Sequence, residues 1–367
     1  WLFEIEREIR SKIPIFWLNI WDEYPAPMYN KQYYNSVDTL MGISKQTVNI
    51  NKLVLGEEAK NKIIEYVPHG IDDEAFYPIT DKHPSYENFA KFRNELFNGK
   101  EIDYVVFYNS RNIQRKHPGD TILAYKLFCD KIGPEKAKRC ALVMKGEISS
   151  PHGTDLRAVR DAICDTDYVN VFFNEERLSP EQMNMLYNVA DVNVLMSSNE
   201  GWGLSLTESM MTGTMIIPNT TGGMQDQARF EDEDGNWIDF DADFPSNHRG
   251  TYKKCGEWAL PVFPTNRALM GSPLTPYIFD DRANAEDVAN RILECYELGP
   301  EERTKRGLKG REWVMSDEAM MTANKMGERI IEVMDRGFDN FTPRSEFDVI
   351  KVENYVKDKV THKLTDY

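Results

Sequence analysis

Val192-Asn193-Val194-Leu195-Met196-Ser197-Ser198-Asn199-Glu200-Gly201-Trp202-Gly203-Leu204-Ser205-Leu206-Thr207-Glu208-Ser209-Met210-Met211-Thr212-Gly213 is the stretch on which the fold turns. Val192 to Met196 is a short apolar run of the kind a buried strand uses, and an apolar helical pattern follows Gly203. Glu200 then sits in the turn and Glu208 on the helix. Gly201 and Gly203, either side of Trp202, let the backbone come close to a bound group, and the helix start offers unpaired N–H donors. Such a terminus favours an anion, most often phosphate. The two carboxylates, anions themselves, suit a partner rich in hydroxyls, such as a ribose plus a sugar ring. Turns of this kind also occur merely to pack a helix closely on a sheet, and from these residues alone both readings stand.

The flanking sequence extends the pattern. Ser179-Pro180-Glu181-Gln182 reads as an N-cap, a proline at the first helical position and a glutamine at the capping-box position. Met183, Leu186, Tyr187, Val189 and Ala190 continue at helical spacing into the strand at Asp191 to Met196. Beyond Gly213 come a further strand, Met215 to Pro218, and Thr220-Thr221-Gly222-Gly223-Met224-Gln225-Asp226. Repeated strand and helix with short turns predict an α/β fold with a parallel, doubly wound sheet. Ligands of such sheets bind at the carboxyl ends of the strands, where Ser197 to Gly203 would lie.

Four ordered motifs resemble family 4 of the retaining glycosyltransferases, over roughly residues 13 to 335. That family carries a Glu, seven residues and a second Glu, commonly in Glu-Gly-Phe-Gly-Leu; here Trp202 replaces the Phe. Tyr108-Asn109-Ser110-Arg111-Asn112-Ile113-Gln114-Arg115-Lys116 is similar to the opening of its C-terminal domain, and Val67-Pro68-His69-Gly70-Ile71-Asp72 to the segment entering the interdomain linker. Gly222-Gly223 with Asp226 resembles its Gly-Gly-x-x-Glu. The resemblance implies the GT-B fold, two Rossmann-like domains facing across a cleft, and a nucleotide sugar, UDP- or GDP-linked, as donor substrate with no separate cofactor. It implies catalytic roles for Arg111, Lys116 and Glu200. Donor binding would fall to Ser110, Gly146, Gly201, Trp202, Gly203, Leu204, Glu208, Gly222 and Gly223, with Glu208 on the ribose and Glu200 on the donor sugar.

The chemistry runs the same way. A nucleotide sugar expels a nucleoside diphosphate, so charge gathers on phosphate oxygens in the transition state, where cations and a helix N-terminus are the expected stabilisers. Arg111 and Lys116 supply fixed positive charge. Arg115 and Lys116 before Pro118 also read as a solvated basic turn. Leu142-Val143-Met144-Lys145-Gly146 reads as a strand ending in glycine, a core strand whatever else it does.

Two departures stand out. The family often has a histidine near the donor sugar after the strand that Ile15 to Ile20 forms; Trp21-Asp22-Glu23 occupies that place, leaving Asp22 or Glu23 as candidates for its polar role. The chain from Asp226 to the helix near Ala285 is also longer than the family needs, and reads as a surface excursion, an insertion at about 228–280. Its Asp239-Phe240-Asp241-Ala242-Asp243 could ligate a divalent metal, but a metal-independent enzyme is the expectation.

The predicted domains are 1–95, the second half of an N-terminal, acceptor-side unit plus linker; 96–335, the nucleotide-sugar-binding unit; and 336–367, a C-terminal tail. The chain starts Trp1-Leu2-Phe3-Glu4 without an initiator Met, and the resemblance implies further upstream units, so the N-terminal domain is expected to be only partly present. Three helices are predicted near the end, over Asn284 to Glu297, Pro300 to Val314 and Met315 to Asp335. With 367 residues, 28% of them charged and 41% hydrophobic, the chain reads as globular and, with five scattered cysteines, as cytoplasmic. No eighteen-residue apolar run appears, so no transmembrane segment is expected. A net charge of −16 disfavours nucleic acid or anionic lipid as a partner without excluding a local basic patch. The acceptor stays open among polysaccharide, lipid-linked sugar, protein, small metabolite and modified DNA. Besides the transferase, two readings remain: a nucleotide-sugar epimerase of the same fold, and a degenerate, non-catalytic sugar-nucleotide or glycan-binding subunit.

Overall fold

The structure is a computed structural model, and it describes residues 1–239 and 254–345. Two parallel sheets organise it. The first has three strands in the order β1-β2-β3, over Phe16–Asn19, Thr39–Gly42 and Ile63–Tyr66. The second has five in the order β6-β5-β4-β7-β8, with β4 at Tyr104–Asn109, β5 at Cys140–Lys145, β6 at Val171–Asn174, β7 at Val192–Leu195 and β8 at Met215–Pro218. Every pairing in it is parallel. The chain winds outward from β4 in both directions, so the carboxyl ends of β4, β5 and β7 border the topological switch point, where such sheets open a ligand crevice.

Local chemistry accounts for the elements. β4, β7 and β8 are almost wholly buried, as strands covered on both faces must be. Ser179 and Gln182 form the predicted capping box at helix Pro180–Val189. Asn284 caps helix Ala285–Glu297, and Thr322 caps helix Ala323–Asp339. Buried Asn193 on β7 donates to the Ser205 carbonyl at 2.8 Å and to the Ser209 hydroxyl at 2.7 Å, fastening helix Leu204–Met211 to its own strand. Trp202 is also buried, with its indole N–H bonded to Thr207 Oγ1 at 3.0 Å.

Several boundaries differ from the sequence expectation. Helix Tyr86–Leu96 straddles the division at 95, and its Phe89, Phe92 and Leu96 pack with Val105, Phe107, Leu186 and Tyr187 of the second unit. The third late helix is Ala323–Asp339, later than predicted; Ala319 and Met321 before it enter the core as a non-helical turn. That helix returns to the first sheet, where Met326, Ile330 and Val333 meet Phe16, Leu18, Met41, Ile63 and Val67. Of the predicted tail, residues 346–367 lie outside the described residues.

The stretch read as one surface excursion divides into parts with different work. Trp258 to Val262 runs beside β8, bridged in parallel at Ile216–Ala259 and Asn219–Val262, and is buried in the main core. An antiparallel hairpin follows, β9 at Asn266–Ser272 and β10 at Thr275–Arg282. It bridges the units: the Asp281 amide donates to the Ser198 carbonyl at 3.0 Å, and the Phe279 amide to the Tyr24 carbonyl at 2.7 Å. Pro276 lies within β10, which a two-stranded ribbon tolerates because each of its strands is an edge. Residues 240–253, and with them most of the Asp-x-Asp stretch, lie outside the described residues. Among the described residues no helix is long and apolar enough to cross a membrane.

Candidate functional site

A cavity of 490 Å³ opens at the carboxyl ends of β4, β5 and β7. Asn109, Ser110 and Arg111 line it from β4, Lys145, Gly146 and Glu147 from β5, and Glu200 with Gly203, Leu204, Ser205 and Glu208 from the turn and helix after β7. Arg115 and Lys116, from the turn after β4, complete the wall. Eight sequence-predicted site residues thus converge: Ser110, Arg111, Lys116, Gly146, Glu200, Gly203, Leu204 and Glu208. Gly201, Trp202, Gly222 and Gly223 do not line the cavity. They stand behind it.

Their contribution is support. The Gly223 amide donates to the Glu200 carbonyl at 3.0 Å. Gly222 has φ +53°, and a Cβ there would lie 2.0 Å from the Glu200 carbonyl oxygen; one on Gly223 would lie 2.3 Å from that of Gly201. Only glycine lets the 220–223 loop rest on the Glu200 turn at this distance.

The charges are arranged in a row. The buried Lys116 ammonium bonds the Glu200 carboxylate, and Arg115 reaches the same oxygen at 3.3 Å while donating to the Asn199 carbonyl at 2.7 Å. Burial holds the Lys116 ammonium below its ordinary range, and Glu200 pulls the other way. Arg111 is exposed at the rim with no ion pair among the described residues. Deeper in, Glu208 is pushed up by burial, offset by the Tyr187 hydroxyl that donates to it. Tyr187 in turn accepts from Asn109 at 2.7 Å. The first unit approaches from across the cleft through Asp22, raised chiefly by burial and coupled to Arg115, Glu200 and Lys116.

Sequence reasoning did not assign Arg115, Lys145, Glu147, Asn109 or Tyr187 to the site. Lys145 carried a signal, as the one charge ending an otherwise apolar strand run. Tyr187 carried none, because its position in the helical apolar stripe is that of a core residue. Among the described residues no three His, Cys, Asp or Glu side chains gather as a metal cluster. The arrangement offers cations and a helix N-terminus to an anion at one end, and hydrogen-bond-accepting carboxylates to hydroxyls beside it.

Residues 89–243 match the family described as glycosyl transferases group 1. Two curated relatives are 25% identical: mannosylfructose-phosphate synthase of Agrobacterium fabrum over 194 residues, 52% of this chain, and D-inositol 3-phosphate glycosyltransferase of Corynebacterium jeikeium over 197 residues, 53% of this chain. The chain spans 39% and 44% of their respective lengths. Among solved structures, α,α-trehalose 6-phosphate synthase of Burkholderia multivorans superposes with a TM-score of 0.62 at 9% identity, covering 91% of this chain and 69% of that one. HepE of Anabaena, solved in complex with UDP and glucose, superposes at 0.57 with 12% identity, covering 84% and 67%. At such identities the likeness establishes the fold, which is GT-B.

Proposed function

We propose that the protein is a retaining glycosyltransferase moving a sugar from a UDP- or GDP-linked donor to a hydroxyl acceptor. The observation that carries this reading is the convergence of Arg111, Arg115 and Lys116, the N-terminus of helix Leu204–Met211, Glu200 and Glu208 on one cavity at the switch point of the sheet. The group 1 match over the same segment and the UDP and glucose in the HepE structure support it.

In this reading the cations and the helix start hold the diphosphate, Glu208 accepts from the ribose hydroxyls, and Glu200 faces the sugar. The acceptor oxygen bonds to the anomeric carbon on the face the diphosphate leaves. The bond to the diphosphate breaks with its electron pair, and the leaving phosphate takes the acceptor proton. Arg111, Arg115 and Lys116 stabilise the charge that develops there, a contribution of roughly 3 kcal/mol per well-aimed donor.

The test is release of nucleoside diphosphate from a panel of UDP- and GDP-sugars, with the anomeric configuration of the product read by NMR. Release by wild type, its loss in Glu200→Ala and a retained configuration are expected. Equal release by both proteins would remove Glu200 from catalysis; an inverted product would remove the retaining mechanism; free epimerised nucleotide sugar would make the protein an epimerase.

A further inference from the structure

Next to the reacting end of the cavity, the two units build an aromatic ledge that no part of the donor reading uses. Trp21 and Tyr29 come from the loop after β1, and Tyr277 from β10 of the hairpin. Trp21 and Tyr29 meet edge to face with centroids 6.0 Å apart, and Tyr29 and Tyr277 with centroids 5.0 Å apart. The Tyr29 hydroxyl donates to the Tyr277 carbonyl at 3.5 Å, and the Tyr277 hydroxyl accepts from the Met28 amide at 3.2 Å. All three rings are half-buried, and Ile20 beside them is 59% exposed.

Asp22 joins this ledge to the donor site. Its charge is coupled to Arg115, Glu200 and Lys116 on one side and to the Tyr29 hydroxyl on the other. Its loop is held from both units. Gln46 donates to the Asp22 carbonyl at 3.0 Å, Thr47 Oγ1 to the Trp21 carbonyl at 2.8 Å, and Thr221 of the second unit to the Glu23 carboxylate. The carboxylate itself bonds only its own backbone amide among the described residues. A fixed, partly buried carboxylate with acceptor capacity to spare, beside half-exposed rings, is suited to a pyranose: hydroxyls donate to the carboxylate while C–H faces lie on the rings.

We infer that the Trp21–Tyr29–Tyr277 ledge is the acceptor subsite, that Asp22 positions the attacking hydroxyl, and that the acceptor is a neutral saccharide. This rests on the donor reading proposed above. Neutrality follows from charge. Asp22 and Glu200 face the junction, Lys116 and Arg115 are engaged by Glu200 and would serve the diphosphate, and Arg267 of the hairpin is bound to Asp281 at 2.7 Å. With Arg111 also given to the diphosphate in the proposed reading, a phosphorylated acceptor would therefore meet two carboxylates and be repelled by both. In the transfer step the saccharide oxygen bonds the anomeric carbon, the diphosphate leaves with the electron pair, and the hydroxyl proton passes to the diphosphate; Asp22 only holds the hydroxyl in line.

The experiment uses whichever nucleotide sugar wild type binds. Nucleoside diphosphate release is measured with water alone, with glucose, mannose, galactose, maltose and sucrose, with glucose 6-phosphate and fructose 6-phosphate, and with polyprenyl phosphate. Calorimetry gives the nucleoside diphosphate Kd for each protein. At least one neutral saccharide is expected to raise release tenfold or more. Tyr277→Ala should raise its KM about tenfold with the Kd unchanged, which also certifies folding, and Tyr277→Phe should restore the KM; Asp22→Asn should raise the KM about tenfold as well while still binding the nucleoside diphosphate. Stimulation by the phosphorylated acceptors alone, or by none, overturns the saccharide assignment while the donor reading stands. An unchanged KM in Tyr277→Ala and Asp22→Asn overturns the ledge. Failure of wild type to bind any nucleoside diphosphate overturns the donor reading itself, and this inference with it.

Discussion

Lys116 and Glu200 form a buried ion pair across the mouth of the cavity, so the carboxylate that would face the donor sugar is neutralised from the side on which the diphosphate would lie. Arg115 adds a second cation at 3.3 Å. Glu200 therefore holds both cations in place and, in the proposed reading, competes with the donor phosphate for them.

That competition gives a distinctive signature for Glu200→Gln. Freed from their counterion, Lys116 and Arg115 should bind nucleoside diphosphate more tightly, by roughly two- to tenfold. Turnover should fall by about 10²–10³ as the sugar loses its facing carboxylate. Calorimetry and steady-state kinetics on the same preparation read both. Parallel loss of affinity and turnover would mean that Glu200 merely maintains the shape of the turn.

Tyr187 supports Glu208 from beneath, and Asn109 supports Tyr187. Tyr187→Phe removes one donor from a buried carboxylate, an interaction worth about 1.5–3 kcal/mol when charged. Burial would then push Glu208 further towards protonation, weakening it as an acceptor for ribose. Affinity for UDP should drop by about tenfold, by more as pH is lowered and by less as it is raised, because burial moves the Glu208 carboxyl upward. A pH-independent change would place Tyr187 in the core alone.

The β7-turn-helix unit was legible because three local signals coincide there: a buried strand, glycines at a close approach and a regular apolar helix. Arg111, Lys116, Glu200 and Glu208 stand in the motifs that carry the family resemblance, and the fold brings all four to one cavity. Arg115 and Asp22 were not resolved, since their surroundings are set by long-range packing: Arg115 bonds Asn199, 84 positions away, and Asp22 reaches the site only when the first unit docks. The hairpin escaped for a related reason. A two-stranded ribbon at half exposure, over residues 266–282, lacks the alternation that marks a strand on one buried face.

Gly222 converts backbone packing into site geometry. Gly222→Ala would set a methyl group 2.0 Å from the Glu200 carbonyl at a φ of +53°. Relief requires the 220–223 loop or the Glu200 turn to shift, at a cost of roughly 1–3 kcal/mol. Urea unfolding should show that loss, and kcat should fall further than stability alone explains because Glu200 moves with its turn. Gly235→Ala, where a Cβ meets nothing within 4 Å but φ is +85°, supplies a control for backbone strain without displacement of the site. Equal kinetic effects of the two substitutions would contradict the coupling.

The contact between the units carries its own titration. Buried Asp226, beside the glycine pair, accepts the Lys45 amide at 2.9 Å, at the start of helix Lys45–Leu55 in the first unit. Burial raises its carboxyl from 3.8 to about 7, against the pull of the Lys45 amide, the Lys45 charge and the Tyr66 hydroxyl, with Asp239 adding to the rise. A folded-state pKa above the unfolded one means that the native protein holds the extra proton between those values. Its stabilising contribution is therefore complete below about pH 4, declines as pH rises towards 7, and is gone above that. Asp226→Asn keeps an acceptor for the Lys45 amide but cannot ionise. Its stability relative to wild type should increase from pH 4.5 to pH 7.5 by on the order of 1–4 kcal/mol and then level off. Urea midpoints for both proteins at half-unit intervals measure the difference directly. A difference that stays flat across that range would show that Asp226 does not titrate in the interface, and the pH response would have to be sought in Asp22 or Glu208 instead.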